Sequence, residues 1–90
     1  MKLLILGYSD FVKRRILPIL VSDFKKIKIA IASKTQRFDF KSKEIIFFRD
    51  YLKSIKEFKP DIVYISLPNS LHYKWAKESL SRKLSIIFIN

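Results

Sequence analysis

Cysteine is absent from this 90-residue chain, and glycine and histidine occur once each. Without cysteine there is no disulfide framework, no thiolate metal site and no cysteine nucleophile. His72 alone cannot build a histidine-based metal cluster, so no metal is expected. Long apolar runs are missing too. No stretch nears the ~20 apolar residues that span a membrane. The opening "MKLLILGYSD" holds an apolar run of only four residues, Leu3 to Leu6, with no small-residue cleavage site behind it. Neither a membrane partner nor secretion is expected, and the chain reads as cytoplasmic. Acidic residues are scarce: 8 against 19 lysines and arginines, a formal net charge of +11. Such a balance favours an anionic partner, whether nucleic acid, lipid or an anionic cofactor. The cations run from Lys2 to Lys83 without a block of five or six, which is the pattern of a solvated basic surface.

What is present is apolar and strand-forming. Hydrophobic residues make up 49% of the chain, enough for a packed fold despite the 30% that are charged. "KLLIL" (2–6), "IKIAIAS" (27–33), "EIIFF" (44–48), "DIVYISL" (61–67) and "LSIIFI" (84–89) have the composition of strands covered on both faces. Helices are expected at 10–24, 49–58 and 71–83, with 34–43 a polar, irregular loop. In the first helix Phe11, Ile16, Leu20 and Phe24 form the inward stripe, and Pro18 predicts a kink or an early stop. In the second, Tyr51, Leu52, Ile55 and Phe58 share a side. In the third, Ser70 is the expected N-cap, and Leu71, Trp75, Ala76 and Leu80 face inward. Alternating strands and helices predict one α/β domain over 1–90, a Rossmann-like doubly wound parallel sheet of five strands in the order 3-2-1-4-5. The ends of strands one and four then flank the switch point where ligands bind.

Two turns enter that crevice. The first, Gly7-Tyr8-Ser9-Asp10-Phe11, is the candidate phosphate cradle. A G-x-G-x-x-G turn uses three glycines for the bend, for close approach of backbone to pyrophosphate and for helix–sheet packing. Here the pattern is Gly7-x-Ser9-x-x-Val12. Gly7 keeps the bend, the Ser9 hydroxyl is able to bond a phosphate oxygen, and the amides at the helix N-terminus bind anions whatever the side chains. At the end of strand two an acidic residue would accept the ribose hydroxyls of NAD. Ser33 and Lys34 stand there instead, with Arg37 nearby, a set that suits the 2′-phosphate of NADP better than NAD.

The second turn lies in "PDIVYISLPNSLHYKWAKESL" (60–80). Asp61, Val63, Ile65, Pro68, Asn69 and His72 follow the pattern D-x-V-x-I-x-x-P-N-x-x-H, and this stretch resembles the Gfo/Idh/MocA family of nicotinamide-dependent oxidoreductases, which act mostly on sugars and cyclitols. The degenerate third glycine position, Val12, and the proline in the first helix fit the same family. By this resemblance Leu67, Pro68 and Asn69 line the nicotinamide ribose and ring, with His72 near the same crevice. A helix N-terminus disfavours a charged imidazole, so a neutral, hydrogen-bonding His72 is expected.

The family pattern breaks after the last strand. Its E-K-P motif, whose lysine is the usual catalytic candidate, does not occur, and Lys83-Leu84-Ser85 replaces the customary Gly-Lys-His. The chain is therefore expected to be the cofactor-binding part of such an oxidoreductase, with no catalytic residue of its own and no turnover alone. Two rival readings carry different expectations. A small basic module would bind nucleic acid, but the aromatics fall mainly at core positions and form no stacking platform, so specific binding is not expected. A remnant that binds no ligand would associate with other chains through the sheet edge formed by "LSIIFI", an association expected in any case of so apolar an edge.

Overall fold

A computed structural model describes residues 1–42 and 44–88. Residue 43 of the expected loop and residue 89 of the expected last strand lie outside them. Five strands, β1 (Lys2–Leu6), β2 (Lys28–Ala32), β3 (Ile45–Phe48), β4 (Ile62–Ile65) and β5 (Ser85–Phe88), pair in parallel in the order β3-β2-β1-β4-β5. The expected order is the one found. Each strand sends alternate side chains to opposite faces. Leu4, Leu6, Ala30, Ala32, Val63 and Ile65 pack under helices α2 (Tyr51–Phe58) and α3 (Asn69–Ser81) through Tyr51, Ile55, Phe58 and Trp75. Leu3, Ile5, Ile29, Ile31 and Tyr64 face the other layer, built by the first helical segment and the β2–β3 loop. Apolar residues on both faces are what make the strands read as continuous runs.

The first helical segment departs from the periodic reading. It begins at Asp10, runs as a π-helical turn over Val12–Ile16, and continues as α1 (Leu17–Asp23). The Leu17 amide donates to the Val12 carbonyl, five residues back. Pro18 does not stop the helix; it sits at the start of α1, just past the π-helical turn, and the helix continues through it without that residue's amide. The wider turn also changes which residues face the sheet. Val12 and Leu17, five apart, are both fully buried, whereas Phe11 and Phe24 of the expected stripe are about half exposed (49% and 48%). The expected stripe, spaced five, four and four residues, holds at Ile16 and Leu20, which pack against the core, and fails at its two ends, where the π-helical turn with its extra residue favours Val12 and Leu17.

α2 is capped by a side chain, the Asp50 carboxylate accepting the Lys53 amide at 2.8 Å. α3 is not. Pro68 occupies its cap position with no side-chain bond, and Ser70 lies inside the helix. Leu80 is 62% exposed, and Ser79 takes the inward place, its hydroxyl donating to the Trp75 carbonyl at 2.7 Å. Ser54 is likewise buried and donates to the Tyr51 carbonyl. A serine that returns its hydroxyl to its own helix can be buried without an unmet bond, which polarity alone conceals. Both helices are followed by lysines in left-handed backbone, Lys59 at φ 52° and Lys83 at φ 61°.

The loop between β2 and β3 is irregular, as expected, but it is also part of the core. Phe38 stacks on Phe47 at 4.4 Å and meets the edge of Tyr8 at 5.6 Å. The Tyr8 hydroxyl donates to Asp39 at 2.8 Å, and the Lys13 ammonium reaches the other carboxylate oxygen at 3.2 Å. Burial, reinforced by the Asp39 hydrogen bond and charge, pushes the Tyr8 phenol up from 10.0 to about 12. Between those values the folded chain holds a proton that the unfolded chain has released, so stability should fall as pH rises through that window. Tyr64 is raised by burial in the same direction, so Tyr8→Phe should flatten only part of the decline. Denaturant melts of the two proteins between pH 10 and 12 provide the check; identical declines would contradict this account of Tyr8.

Candidate functional site

β1 and β4 lie side by side, and the chain leaves them toward opposite faces of the sheet, opening a crevice at their C-terminal ends. Gly7 forms its floor. Its amide donates to the Ala32 carbonyl at 2.8 Å, and its φ is +101°. A Cβ here would stand 2.4 Å from the Ser66 carbonyl oxygen and 3.0 Å from a Leu67 methyl. The one glycine of the sequence thus occupies a position that left-handed backbone and close approach both reserve for it.

Ser9, at the second glycine position, begins the helix. Its hydroxyl accepts the Val12 amide at 3.2 Å and shares a 2.8 Å hydrogen bond with the Ser66 hydroxyl. It is thereby an N-cap residue and a tie between the β1 and β4 turns. Val12, at the third position, is buried against the sheet. The first intrahelical bond is Lys13 N–H to the Ser9 carbonyl, so the amides of Asp10 and Phe11 precede the hydrogen-bonded ladder and point out of the helix end. Removing the cap by Ser9→Ala should lower stability by about 1 kcal/mol. An unchanged denaturation midpoint would show that neither bond of Ser9 contributes.

The crevice is an open cavity of about 340 Å³, within the size range of small-molecule sites. Of the expected residues, Gly7, Tyr8, Ser9, Ser33, Leu67 and Pro68 line it. Asp10, Phe11, Lys34, Arg37, Asn69 and His72 stand outside that lining. Asp10, Phe11, Arg37 and Asn69 are exposed, and His72 is half-buried within α3. The Lys34 ammonium sits 5.4 Å over the ring of Tyr51, itself a wall of the cavity, which holds it at the rim. Thr35, Gln36, Tyr51 and Ser66 complete the lining and were not marked by the sequence. Tyr51 read as a core residue, which it also is, and Ser66 was hidden within the expected strand. Among the described residues no cluster of three or more histidine, aspartate or glutamate side chains is placed to hold a metal, and no helix is long and apolar enough to cross a membrane.

Comparison with known proteins places these features in a wider set. The sequence pattern of the Gfo/Idh/MocA oxidoreductases, described as an NAD-binding Rossmann fold, matches residues 1–88. Among solved structures the chain is similar to a probable oxidoreductase, yhhX, with a TM-score of 0.83 and 14% identity over 98% of this chain and 27% of that one. It is also similar to a dipicolinate-bound dihydrodipicolinate reductase from Paenisporosarcina, with a TM-score of 0.80 and 12% identity over all of this chain and 37% of that one. The chain thus spans well under half the length of either protein, and at these identities the likeness is one of fold. No curated protein sequence matches.

Proposed function

The chain belongs to the Gfo/Idh/MocA oxidoreductase family through its NAD-binding Rossmann fold, and from that premise we propose that the crevice between β1 and β4 binds a nicotinamide dinucleotide, NADP in preference to NAD. The pyrophosphate lies against the Gly7–Phe11 turn, held by the backbone amides of Asp10 and Phe11 rather than by the Ser9 hydroxyl, which is engaged with Val12 and Ser66. The Asp10 carboxylate repels phosphate, so that residue contributes through its amide alone. Ser33 and Lys34, with Arg37 beyond them, surround the 2′-phosphate. Leu67 and Pro68 bound the nicotinamide end, and Asn69 and His72 follow them on α3.

When bound, the cofactor supplies hydride chemistry; the residues of this chain orient it. The corresponding whole enzyme is an oxidoreductase acting on a sugar or cyclitol, and no catalytic residue is assigned within these 90. The observation that carries the reading is Gly7, whose backbone lets the β1 and β4 turns meet and leaves the cavity open beside them. Calorimetric titration with NADPH and NADH tests it. Saturable one-to-one binding, tighter for NADPH, is expected. Absence of saturable binding by either would refute the proposal.

A further inference from the structure

Arg49 follows β3 directly and reaches back to the turn after β2. Its Nη1 donates to the Ser33 carbonyl at 3.3 Å and also to the Gln36 carbonyl. Its guanidinium lies 4.2 Å from the centre of the Phe38 ring, on a side chain fixed in turn by Phe47 and Tyr8. Within the turn, the Ser33 hydroxyl accepts the Gln36 amide at 3.3 Å. Residues 33 and 36 are thus joined twice, once by the serine and once by the arginine. Lys34 and Thr35 are carried between those anchors, and Ser33, Thr35 and Gln36 all face the cavity. Arg49 itself does not line it.

A lysine on an unrestrained loop loses backbone and side-chain freedom when it engages a ligand. A turn already held in one conformation avoids the backbone part of that loss. The guanidinium donates to both carbonyls through Nη1 alone, which an ammonium could also do, but only a planar group does so while its face lies over the Phe38 ring.

We infer that Arg49 is a positioning residue for the cofactor's 2′-phosphate, fixing the Ser33–Gln36 turn so that Lys34 and Ser33 meet that group, and so setting the preference for NADPH over NADH. The inference rests on the cofactor reading above. It predicts that Arg49→Gln lowers NADPH affinity by about tenfold while leaving NADH affinity within about twofold.

Arg49→Lys separates positioning from charge, and it serves as the second variant should Arg49→Gln fail to fold. It keeps the positive charge, so a purely electrostatic effect on the phosphate would be rescued. Loss of the planar group over the Phe38 ring predicts no rescue. Calorimetric titration of wild type and both variants with NADPH and NADH decides the matter. A selective loss of NADPH affinity in both variants supports the inference. Equal losses for the two cofactors, an unchanged preference, or full rescue by lysine would overturn it. A wild type that binds neither cofactor, or binds both equally, would instead overturn the reading beneath it.

Discussion

Gly7→Ala should lower folding stability by about 3 kcal/mol or more and eliminate dinucleotide binding. Two costs add. An L-residue in left-handed backbone costs ~1–2 kcal/mol, and Gly7 has a φ of +101°. Forcing atoms into a packed site costs typically ~1–3 kcal/mol more, and the new methyl would sit 2.4 Å from a backbone oxygen, where no side-chain rotation brings relief. Small domains have only ~5–15 kcal/mol to lose. Moving Ser66 away would also part the Ser9–Ser66 hydroxyl pair and widen the crevice. Denaturant unfolding gives the stability and calorimetry the affinity. A loss below about 1 kcal/mol with binding retained would mean that the turn tolerates a side chain, and the account of Gly7 would be wrong.

Lys34→Asp should narrow the NADPH preference proposed above by roughly tenfold or more, and reverse it if the new carboxylate accepts the ribose hydroxyls of NAD. A hydrogen bond to a charged group is worth ~1.5–3 kcal/mol, and reversing the charge adds repulsion to its loss. The lysine stands over the Tyr51 ring at the cavity rim, within the turn that Arg49 holds. Its replacement lies on the surface, so the fold should survive. Equal NADPH-to-NADH ratios before and after the change would remove Lys34 from the site.

The sheet was legible because each strand is an apolar run bounded by polar residues, a signal that survives without knowledge of tertiary contacts. The five-strand order follows from the alternation of elements and the handedness of crossovers. Helix faces were less legible. The π-helical turn at Val12–Ile16 moves the buried positions off the regular spacing, and nothing in the residues announces it except Pro18. Buried Ser54 and Ser79 were missed because their partners are their own backbone carbonyls. At the site, Gly7 was found because glycine after a strand is a local sign. Thr35, Gln36 and Ser66 were not, because they line the cavity only once three separate turns converge. Arg49 is legible only in three dimensions, since its partners lie 13 and 16 residues away.

With its single glycine committed to the β1 turn, the chain closes two helices with other residues in the conformation glycine tolerates best. Lys59 caps α2 at φ 52° and donates its amide to the Ile55 carbonyl; Lys83, at φ 61°, donates to Leu80 just past α3. Each lysine carries ~1–2 kcal/mol of conformational penalty that a residue without Cβ would not. Both side chains are exposed and neither lines the β1–β4 cavity. The scaffold therefore holds unused thermal margin at two points remote from its ligand crevice, and glycine at 59 or 83 would raise the melting temperature without altering what the crevice binds.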